Sequence, residues 1–393
     1  MKEQIVKNIL EDIKKNGDKA INYYSKKFDK EEFYVVTKKQ INDAYKKVDK
    51  KIIKNLRKAA KNISLFSKLQ FKQIKSFKTT IDNNILGQKI IPIENVGCYV
   101  PGGRYPLPSS ALMSIIPAKI AGVKNIIVCS PKIQPITIVA ADIAGANKII
   151  SVGGIQAIGG LTYGTKKIPK VDKIVGPGNS FVTEAKRQVY GEVGIDFIAG
   201  PSEILIIADK YANPDYIAID ILAQAEHDPE AKTYLVSNSK KLVTNVKKNI
   251  KIQINNLNTK DIAKKSIKNL KIKLLYDTDK IIEYTNKIAP EHLELQIKKP
   301  ELIIDKLVNY GSLFIGKNSA EVFGDYCSGT NHILPTNKAS RYTGGLSVYD
   351  FIKILTFQKI TEKGKNNLIE ISCTLAKVEG LDAHKKSAEI RLK

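Results

Sequence analysis

The chain of 393 residues contains no tryptophan, two methionines, four cysteines and four histidines. No two cysteines are spaced as a CxxC pair, and four are too few for a disulfide framework in a chain of this length. No apolar run approaches the roughly 20 residues that a membrane helix needs. The charged, helix-periodic start has no hydrophobic segment of the signal-peptide kind. These absences predict a reduced, cytoplasmic protein that does not bind a membrane.

Arginine is also scarce, although the formal net charge is +25. Nearly all of the positive excess is lysine on predicted helix faces, as in KKVDKKIIKNLRKAAKN. Proteins that read bases and phosphates favour arginine, and the sequence has no RRM, zinc-finger or homeodomain pattern. We therefore expect no nucleic-acid partner, although a basic nucleic-acid-binding protein is the alternative that the charge alone would favour.

Helical periodicity dominates residues 1–75, and short β-rich runs then alternate with helices. The predicted strands are 125–131, 148–154, 171–175, 203–209, 233–237, 271–277 and 312–316. The predicted helices are 136–146, 155–165, 180–190, 214–227, 239–256, 278–288, 347–360 and 366–388. Such alternation favours parallel sheets with helices on both faces, so the predicted fold class is α/β, with two sheets and a helical tail.

Three glycine-rich turns follow predicted strands: YVPGGRYP at 99–106, SVGG-IQAIGG at 151–160 and GPGN at 176–179. The last turn opens a helix, whose N-terminus could hold a pyrophosphate through free N–H groups and the helix dipole. None of the turns matches GxGxxG, and a single glycine is more often a turn device than part of a ligand site. Three turns in one region nevertheless favour a nucleotide or phosphate site.

The histidines lie in separate polar segments. Gln224 and His227 are spaced i, i+3 on one predicted helix face, and Asp325 and His332 lie in the loop GDYCSGTNHILPT. A mixed nitrogen and oxygen set would suit Zn²⁺ or a similar ion, although each residue alone is more often structural. Cys327 in the same loop is interpreted as a packing residue, since no base is tied to it by spacing.

Glu291 and His292 are adjacent in IAPEHLEL, so their side chains project differently and could serve two proton transfers. Histidine titrates near neutral pH, which suits a general base. A helix start with Pro290 at its first position would explain the glutamate but not the histidine. His384, in LDAHKKSAEI, is on these grounds a solvated surface residue.

Together these segments resemble one family, the histidinol dehydrogenases. The resemblance covers nearly the whole chain, and its stretches keep the family order: GCYVPGGRYPLPSS, PAKIAGVKNIIVCSP, VGGIQAI, KVDKIVGPGNSFVTEAKRQVYG, DFIAGPSEILIIAD, LAQAEHD, APEHLEL, GDYCSGTNHILPT and AHKKSAEIRL. It implies NAD⁺-dependent, four-electron oxidation of L-histidinol to L-histidine through L-histidinal, the final step of histidine biosynthesis. It also implies a homodimer with one Zn²⁺ per subunit. The implied fold has two incomplete Rossmann-like domains with parallel-rich sheets, N-terminal helices and a helical C-terminal tail.

The resemblance also assigns roles to single residues. The zinc ligands would be Gln224, His227, Asp325 and His384. The catalytic pair would be Glu291 and His292. The substrate-binding residues would be Ser202, Gln224, His227, His292, Asp325, His332, Glu379 and His384. The NAD⁺ contacts would be Tyr99, Gln156 and Asn179. Glu379 and His384 would come from the neighbouring subunit's tail, which would replace the surface interpretation of His384.

The implied domains are discontinuous in the chain. Residues 1–98 and 201–345 would form the first α/β domain, residues 99–200 the second with the NAD⁺ turns, and residues 346–393 the tail. The chain begins where the family's first helical region is already under way, which is expected to affect the dimer surface and not the chemistry. Two enzyme alternatives stay open: a paralogous zinc- and NAD-dependent dehydrogenase of another small alcohol, and a zinc hydrolase that would leave the nucleotide turns unused.

Overall fold

The computed structural model describes residues 1–102 and 105–392, so Gly103 and Arg104 of the predicted turn at 99–106 lie outside the described residues. The α-helices are α1 (Lys2–Asn16), α2 (Asp18–Tyr24), α3 (Lys38–Lys47), α4 (Lys50–Lys72), α5 (Pro108–Ala121), α6 (Pro135–Ala144), α7 (Gly154–Tyr163), α8 (Ser180–Val189), α9 (Pro214–Ala225), α10 (Lys240–Gln253), α11 (Lys260–Ser266), α12 (Thr278–Ile288), α13 (Glu321–Tyr326), α14 (Lys365–Val378) and α15 (Asp382–Glu389). The strands are β1 (Tyr34–Val35), β2 (Phe77–Ile81), β3 (Asn84–Pro92), β4 (Asn95–Tyr99), β5 (Asn125–Ser130), β6 (Lys148–Ser151), β7 (Lys173–Val175), β8 (Gly194–Ile195), β9 (Glu203–Ala208), β10 (Lys232–Ser237), β11 (Lys271–Leu274), β12 (His292–Gln296), β13 (Ser312–Ile315) and β14 (Ile352–Lys359). A π-helical segment spans Ser25–Asp29, and 3₁₀ turns occur at Ile254–Asn256, Ile267–Asn269, Pro300–Leu302, Ile304–Lys306, Ala339–Arg341, Val348–Phe351 and Ile390–Leu392.

The first sheet has six strands in the order β1-β6-β5-β4-β7-β8. β1 is antiparallel to β6, and the remaining pairs are parallel. The chain winds from β4 through β5 to β6 and then returns to the other side of β4, so the winding reverses between β4 and β7. Helices α5 and α6 cover one face and α7 and α8 the other, which explains the continuous apolar runs of the central strands. Parallel sheets of this kind bind ligands at the carboxyl ends of the strands where the winding reverses.

The second sheet has five parallel strands in the order β11-β10-β9-β12-β13. Helices α9 and α10 bury their apolar faces on one side, and α12 covers the other side. The register pairs His292, the first residue of β12, with Ile204 of β9 and Ser312 of β13. β12 was not predicted from the sequence. Pro290 and Glu291 therefore precede a strand and do not begin a helix, and His292 lies at the amino edge of the second sheet.

The third sheet is antiparallel, in the order β14-β3-β2, and it corrects one sequence prediction. The prediction of a helix over residues 347–360 is wrong, because β14 pairs with β3 along its whole length. The segment IKILTFQK is rich in β-branched and aromatic residues, which favour strands. β2 and β3 form a hairpin around Asp82 and Asn83, both with positive φ. The predicted tail helix over 366–388 is two helices, separated at Gly380.

The N-terminal helices pack on the first sheet's helices. α1 contributes Val6, Ile9 and Ile13 to the core formed with α7 and α8, while α3 and α4 pack against α6 and α5. β4 is also a central strand of the first sheet. This packing differs from the predicted grouping of residues 1–98 with 201–345, because the apolar faces of these helices meet the first sheet's unit. The predicted α/β class with parallel-rich sheets, N-terminal helices and a helical C-terminal tail is confirmed. Within residues 1–102 and 105–392, no helix is both long and apolar enough to cross a membrane.

Candidate active site

A cavity of about 660 Å³ lies between the carboxyl edge of the first sheet and the amino edge of the second. Most of the predicted site residues line this cavity: Asn179, Ser202, Gln224, His227, Glu291, His292, Asp325 and His332. Four predicted residues are not among the lining residues: Tyr99, Gln156, Glu379 and His384. One chain thus brings together the predicted catalytic pair and three of the four predicted metal ligands.

The pair Glu291 and His292 is fixed by the backbone of β9. The backbone N–H of Glu203 donates to Oε2 of Glu291 at 2.8 Å, and Nδ1 of His292 lies 3.0 Å from the carbonyl oxygen of Glu203. A carbonyl oxygen only accepts, so Nδ1 carries the proton and the nearby amide of Gln224 cannot donate to it. Nε2 of the neutral ring is then unprotonated. It is buried and has no hydrogen-bond partner among the described residues.

Burial and surrounding charge shift the proton affinities of this pair. Burial raises the pKa of Glu291 to about 7, although His292 opposes the shift. Burial also disfavours the imidazolium of His292, but the carboxylates of Glu291, Glu321 and Asp325 outweigh it and raise its pKa to about 10. Buried groups whose pKa is displaced by several carboxylates in one cavity are typical of catalytic and metal sites.

The predicted metal ligands come from the ends of two helices. Gln224 is in the last turn of α9, which ends at Ala225, so His227 lies in the following turn and not on the helix itself. The sequence predicted a loop at Asp325, but the residue lies on the short helix α13. The ligand atoms of His227, Asp325 and Glu321 all lie within 4.8 Å of one another. The two helix ends therefore form a compact donor cluster.

Glu321, the first residue of α13, was not predicted as part of the site. It is 1% exposed and faces the carboxamide of Gln224, which is also 1% exposed. The Gln224 nitrogen, in the orientation that satisfies both groups, lies 2.9 and 3.1 Å from the two carboxylate oxygens of Glu321. Burial raises the pKa of Glu321 to about 8, and the neighbouring His292 opposes that shift.

His332 is held at both ring nitrogens. Its Nδ1 lies 2.7 Å from the carbonyl oxygen of Asp325, and its Nε2 lies 3.1 Å from the hydroxyl of Ser110 on α5. Nδ1 must donate to the carbonyl, so Nε2 accepts from the hydroxyl. Burial lowers the pKa of His332, consistent with a neutral ring. This geometry ties α13 to α5 and occupies both nitrogens that a ligand would otherwise use.

The first sheet contributes the turn Gly176–Asn179 to the cavity. Asn179 caps α8, because its side-chain oxygen accepts from the N–H groups of Phe181 and Val182 at 2.9 and 3.1 Å. Gly176 has φ +112°, and a Cβ there would overlap the carbonyl oxygen of Tyr99. The helix N-terminus therefore opens at the reversal point between β4 and β7, where this sheet class binds nucleotides.

Tyr99 lies against this turn and Gln156 lies beside Gly154 of the neighbouring glycine-rich turn, and both side chains are buried. The backbone N–H of Gly154 donates to the Tyr99 hydroxyl at 3.2 Å. The nitrogen of Gln156 donates to Asp29 at 2.9 Å, while its oxygen is buried without a partner among the described residues. An unpaired buried oxygen is costly, which favours a polar ligand there. The NAD⁺ roles of both residues stay predictions.

Alternation along β12 is the sequence signal that could have revealed more of the site. Leu293 and Leu295 enter the core, whereas His292, Glu294 and Gln296 are buried polar residues on the other face. Glu294 faces Asp220 of α9, and burial followed by the Asp220 charge raises the pKa of Glu294 to about 9. Three buried polar side chains at period two indicate that the strand face borders a site.

Glu379 and His384, the predicted site residues of the C-terminal tail, do not line the cavity of their own chain. Glu379 follows α14 and His384 is on α15, and both are exposed. α14 and α15 pack mainly against each other, and α14 exposes Ile371, Leu375 and Val378. The chain alone therefore does not bring the fourth predicted ligand to the other three.

The family profile described as histidinol dehydrogenase matches residues 1–392. The chain belongs to the histidinol dehydrogenase family. It is 47% identical to the histidinol dehydrogenase of Methanocaldococcus jannaschii, over 99% of this chain and 92% of that protein. It is 45% identical to the Streptococcus mutans histidinol dehydrogenase, with the same two coverages.

A solved histidinol dehydrogenase has the same fold. The crystal structure of the enzyme from Elizabethkingia anophelis matches with a TM-score of 0.95 at 40% identity, covering 99% of this chain and 92% of that one. The resemblance found in the sequence is confirmed, and the chain is an enzyme of an oxidoreductase family. Its family membership is consistent with a step of histidine biosynthesis.

Proposed function

We propose that this enzyme oxidises L-histidinol to L-histidine through L-histidinal, with two NAD⁺ as successive hydride acceptors, in the last step of histidine biosynthesis. The observation that carries the proposal is one cavity in which the buried Nε2 of His292, without a hydrogen-bond partner among the described residues, lies 3.7 Å from Asp325 in a cluster of potential metal ligands. The same cavity reaches Asn179 at the proposed nucleotide turn. The balanced reaction consumes one water and two NAD⁺ and releases two NADH and three protons.

The donor set fits one Zn²⁺ per subunit. Gln224, His227 and Asp325 would supply oxygen, nitrogen and oxygen donors, and His384 of the partner subunit would supply the fourth. The Gln224 orientation leaves its amide oxygen, and not its nitrogen, for a cation. A bound Zn²⁺ would hold the amino and imidazole groups of histidinol and polarise the reacting oxygen of the substrate. Its positive charge would also counteract the carboxylates that raise the pKa of His292.

The NAD⁺ site would use the first sheet. Asn179 lines the cavity at the N-terminus of α8, where the positive end of the helix dipole would attract a pyrophosphate. Tyr99 lies against the same turn, Gln156 lies beside Gly154, whose N–H donates to the Tyr99 hydroxyl, and the unpaired Gln156 oxygen favours a polar ligand. Ser202 of the same chain and Glu379 of the partner subunit would add substrate contacts, and His332 would contact the substrate in place of its bond to Ser110.

The chain's own residues divide the proton transfers. Nε2 of His292 takes the proton of the alcohol hydroxyl, and the Nδ1–H bond to the Glu203 carbonyl keeps the ring in this tautomer. The carboxylate of Glu291 takes a proton from water as the water adds to the aldehyde. Its burial and raised pKa make it a stronger base than an exposed glutamate. His292 releases its first proton to solvent and then takes a proton from the hydrate, so one residue serves both oxidations.

A homodimer would complete the site. Glu379 and His384 are exposed and lie outside the chain's own cavity, while α14 and β14 expose apolar side chains such as Leu375, Val378 and Ile354. Burying such a surface against a second copy would stabilise the dimer and bring its tail to the cavity. A cytoplasmic location completes this proposal.

Stoichiometry tests the chemistry. Purified, zinc-loaded protein receives a limiting amount of L-histidinol, and NADH is followed by absorbance. We expect two NADH per histidinol, loss of activity with a chelator and recovery with Zn²⁺. One NADH per histidinol would refute the second oxidation. No NADH from a zinc-loaded dimer would refute histidinol as the substrate and favour a paralogous dehydrogenase of another small alcohol.

Mixed dimers test the shared site. Asp325→Asn and His384→Asn are each expected to be inactive. After the two variants are unfolded together and refolded, half of the dimers are mixed, and each mixed dimer has one intact site, so activity should recover to about a quarter of the wild-type value. Each variant refolded alone is the control. No recovery from a mixture shown to contain mixed dimers would contradict a site shared between subunits.

A further inference from the structure

Gln224 is an unusual member of a metal site because its carboxamide has two chemically opposite ends. The oxygen accepts and can bind a cation, whereas the nitrogen only donates and repels one. Rotation of the side-chain amide by half a turn exchanges the two ends. A site that uses Gln224 as a ligand therefore needs a neighbour that fixes the orientation.

Glu321 is in the position to do this. When the Gln224 carboxamide is oriented so that its oxygen and nitrogen both have suitable partners, the nitrogen lies 2.9 and 3.1 Å from the two carboxylate oxygens of Glu321. With Glu321 ionised, the form that a nearby cation favours, the opposite orientation would bring the amide oxygen against the carboxylate and leave two acceptors face to face in a buried region. Both side chains are 1% exposed, so water cannot readily satisfy the wrong orientation.

We propose that Glu321 is a positioning residue that holds the Gln224 carboxamide with its oxygen towards the metal. This inference rests on the proposed function for the presence of a metal at Gln224, His227 and Asp325. Glu321 acts through Gln224 and contributes no bond to the cation. The competing role is a direct ligand, because the Glu321 oxygens lie within 4.8 Å of the ligand atoms of His227 and Asp325.

A double-mutant cycle separates these two roles. The dissociation constant of Zn²⁺ is measured by competition with a chromogenic chelator for four full-length proteins: wild type, Gln224→Ala, Glu321→Ala and the double variant. Loss of a residue that orients a ligand is expected to weaken metal binding by about 10–100-fold in the wild-type background. In the Gln224→Ala background the same change should weaken binding by less than about threefold, because no carboxamide remains to be oriented.

Additional variants keep the test decisive. Glu321→Gln retains an acceptor oxygen and should bind Zn²⁺ within about fivefold of wild type, which also covers the case in which Glu321→Ala does not fold. Glu301→Gln removes an exposed carboxylate and is the control, with an unchanged dissociation constant expected. Thermal unfolding of each metal-free protein confirms that it is folded.

Three results would overturn the inference. Effects of Glu321→Ala and Gln224→Ala that multiply in the double variant would make Glu321 an independent ligand. Unchanged binding in Glu321→Ala, or in Gln224→Ala, would remove the orienting role. The readout is metal affinity and not turnover, so a protein that binds Zn²⁺ as expected but does not oxidise histidinol would count against the proposed function alone.

Discussion

Replacement of Lys186 by methionine tests whether the proposed nucleotide-binding turn at 176–179 depends on a buried ion pair. Lys186 of α8 and Asp196 form an ion pair whose side chains are 4% and 1% exposed. The Lys186 ammonium also donates to the Gly176 carbonyl at 3.0 Å, and Asp196 accepts from the Gly176 N–H at 2.8 Å. The pair therefore fixes both backbone groups of Gly176, the residue that opens the turn.

The expected cost follows from this geometry. Removing one partner of a buried pair costs about 3–5 kcal/mol, because the remaining charge stays buried without compensation. Asp196 keeps the N–H groups of Gly176 and Phe197, each at 2.8 Å, which moves the expectation to the lower end. We expect Lys186→Met to lose roughly 3 kcal/mol of unfolding free energy and to raise the KM for NAD⁺ more than it lowers kcat.

Urea unfolding followed by circular dichroism measures the loss, with two comparisons. Lys170→Met removes an exposed pair with Glu192, whose side chains are 55% and 46% exposed, and should cost below about 0.5 kcal/mol. The double variant Lys186→Met/Asp196→Asn should recover part of the loss, because no unpaired charge remains. A loss in Lys186→Met no larger than in Lys170→Met would refute the reasoning, as would losses that simply add in the double variant.

Three further predictions follow from the site. Gly176→Ala places a Cβ against the Tyr99 carbonyl at a φ of +112°, so the KM for NAD⁺ in steady-state assays should rise by about tenfold or more. An unchanged KM would contradict a role for this turn in NAD⁺ binding. Burial raises the pKa of Glu291 to about 7, so the rate of aldehyde oxidation in single turnovers should increase as pH rises through this value. Glu291→Gln should abolish this increase in rate and spare aldehyde formation. Equal loss of both steps would refute the assigned roles. Burial and the Asp220 charge raise the pKa of Glu294 to about 9, so the folded state keeps a proton that the unfolded state releases near pH 4.5, and the resulting stability is lost as pH rises towards 9. Glu294→Gln should therefore show a shallower decline of unfolding free energy between about pH 5 and pH 9, and parallel urea-derived curves would contradict this.

The sequence predicts repeated local patterns well. Alternating strands and helices between residues 125 and 288 were assigned from periodicity, and the structure has them within a few residues. His227 illustrates the limit at element ends, since α9 stops two residues before it. Helix termini depend on capping and tertiary contacts, which periodicity does not encode.

Pairing between distant strands could not be predicted from the sequence. Residues 352–359 are a strand because β3 supplies its partner from a distant part of the chain, and no local pattern indicates that pairing. Glu321 was missed for a similar reason. A glutamate at the start of a helix is ordinary, and its significance depends on α13 meeting the end of α9 nearly one hundred residues away in the chain.

The position of the cavity at the amino edge of the second sheet leaves the opposite edge of that sheet free of site residues. The turns after β9, β10 and β11, such as residues 209–213, lie a full strand length from His292, roughly 15–20 Å. Inserted tags, fluorescent reporters or surface anchors at these turns would leave the catalytic geometry intact. The same edge is where natural insertions can accumulate, since loops there are constrained only by the need to connect a strand to the next helix.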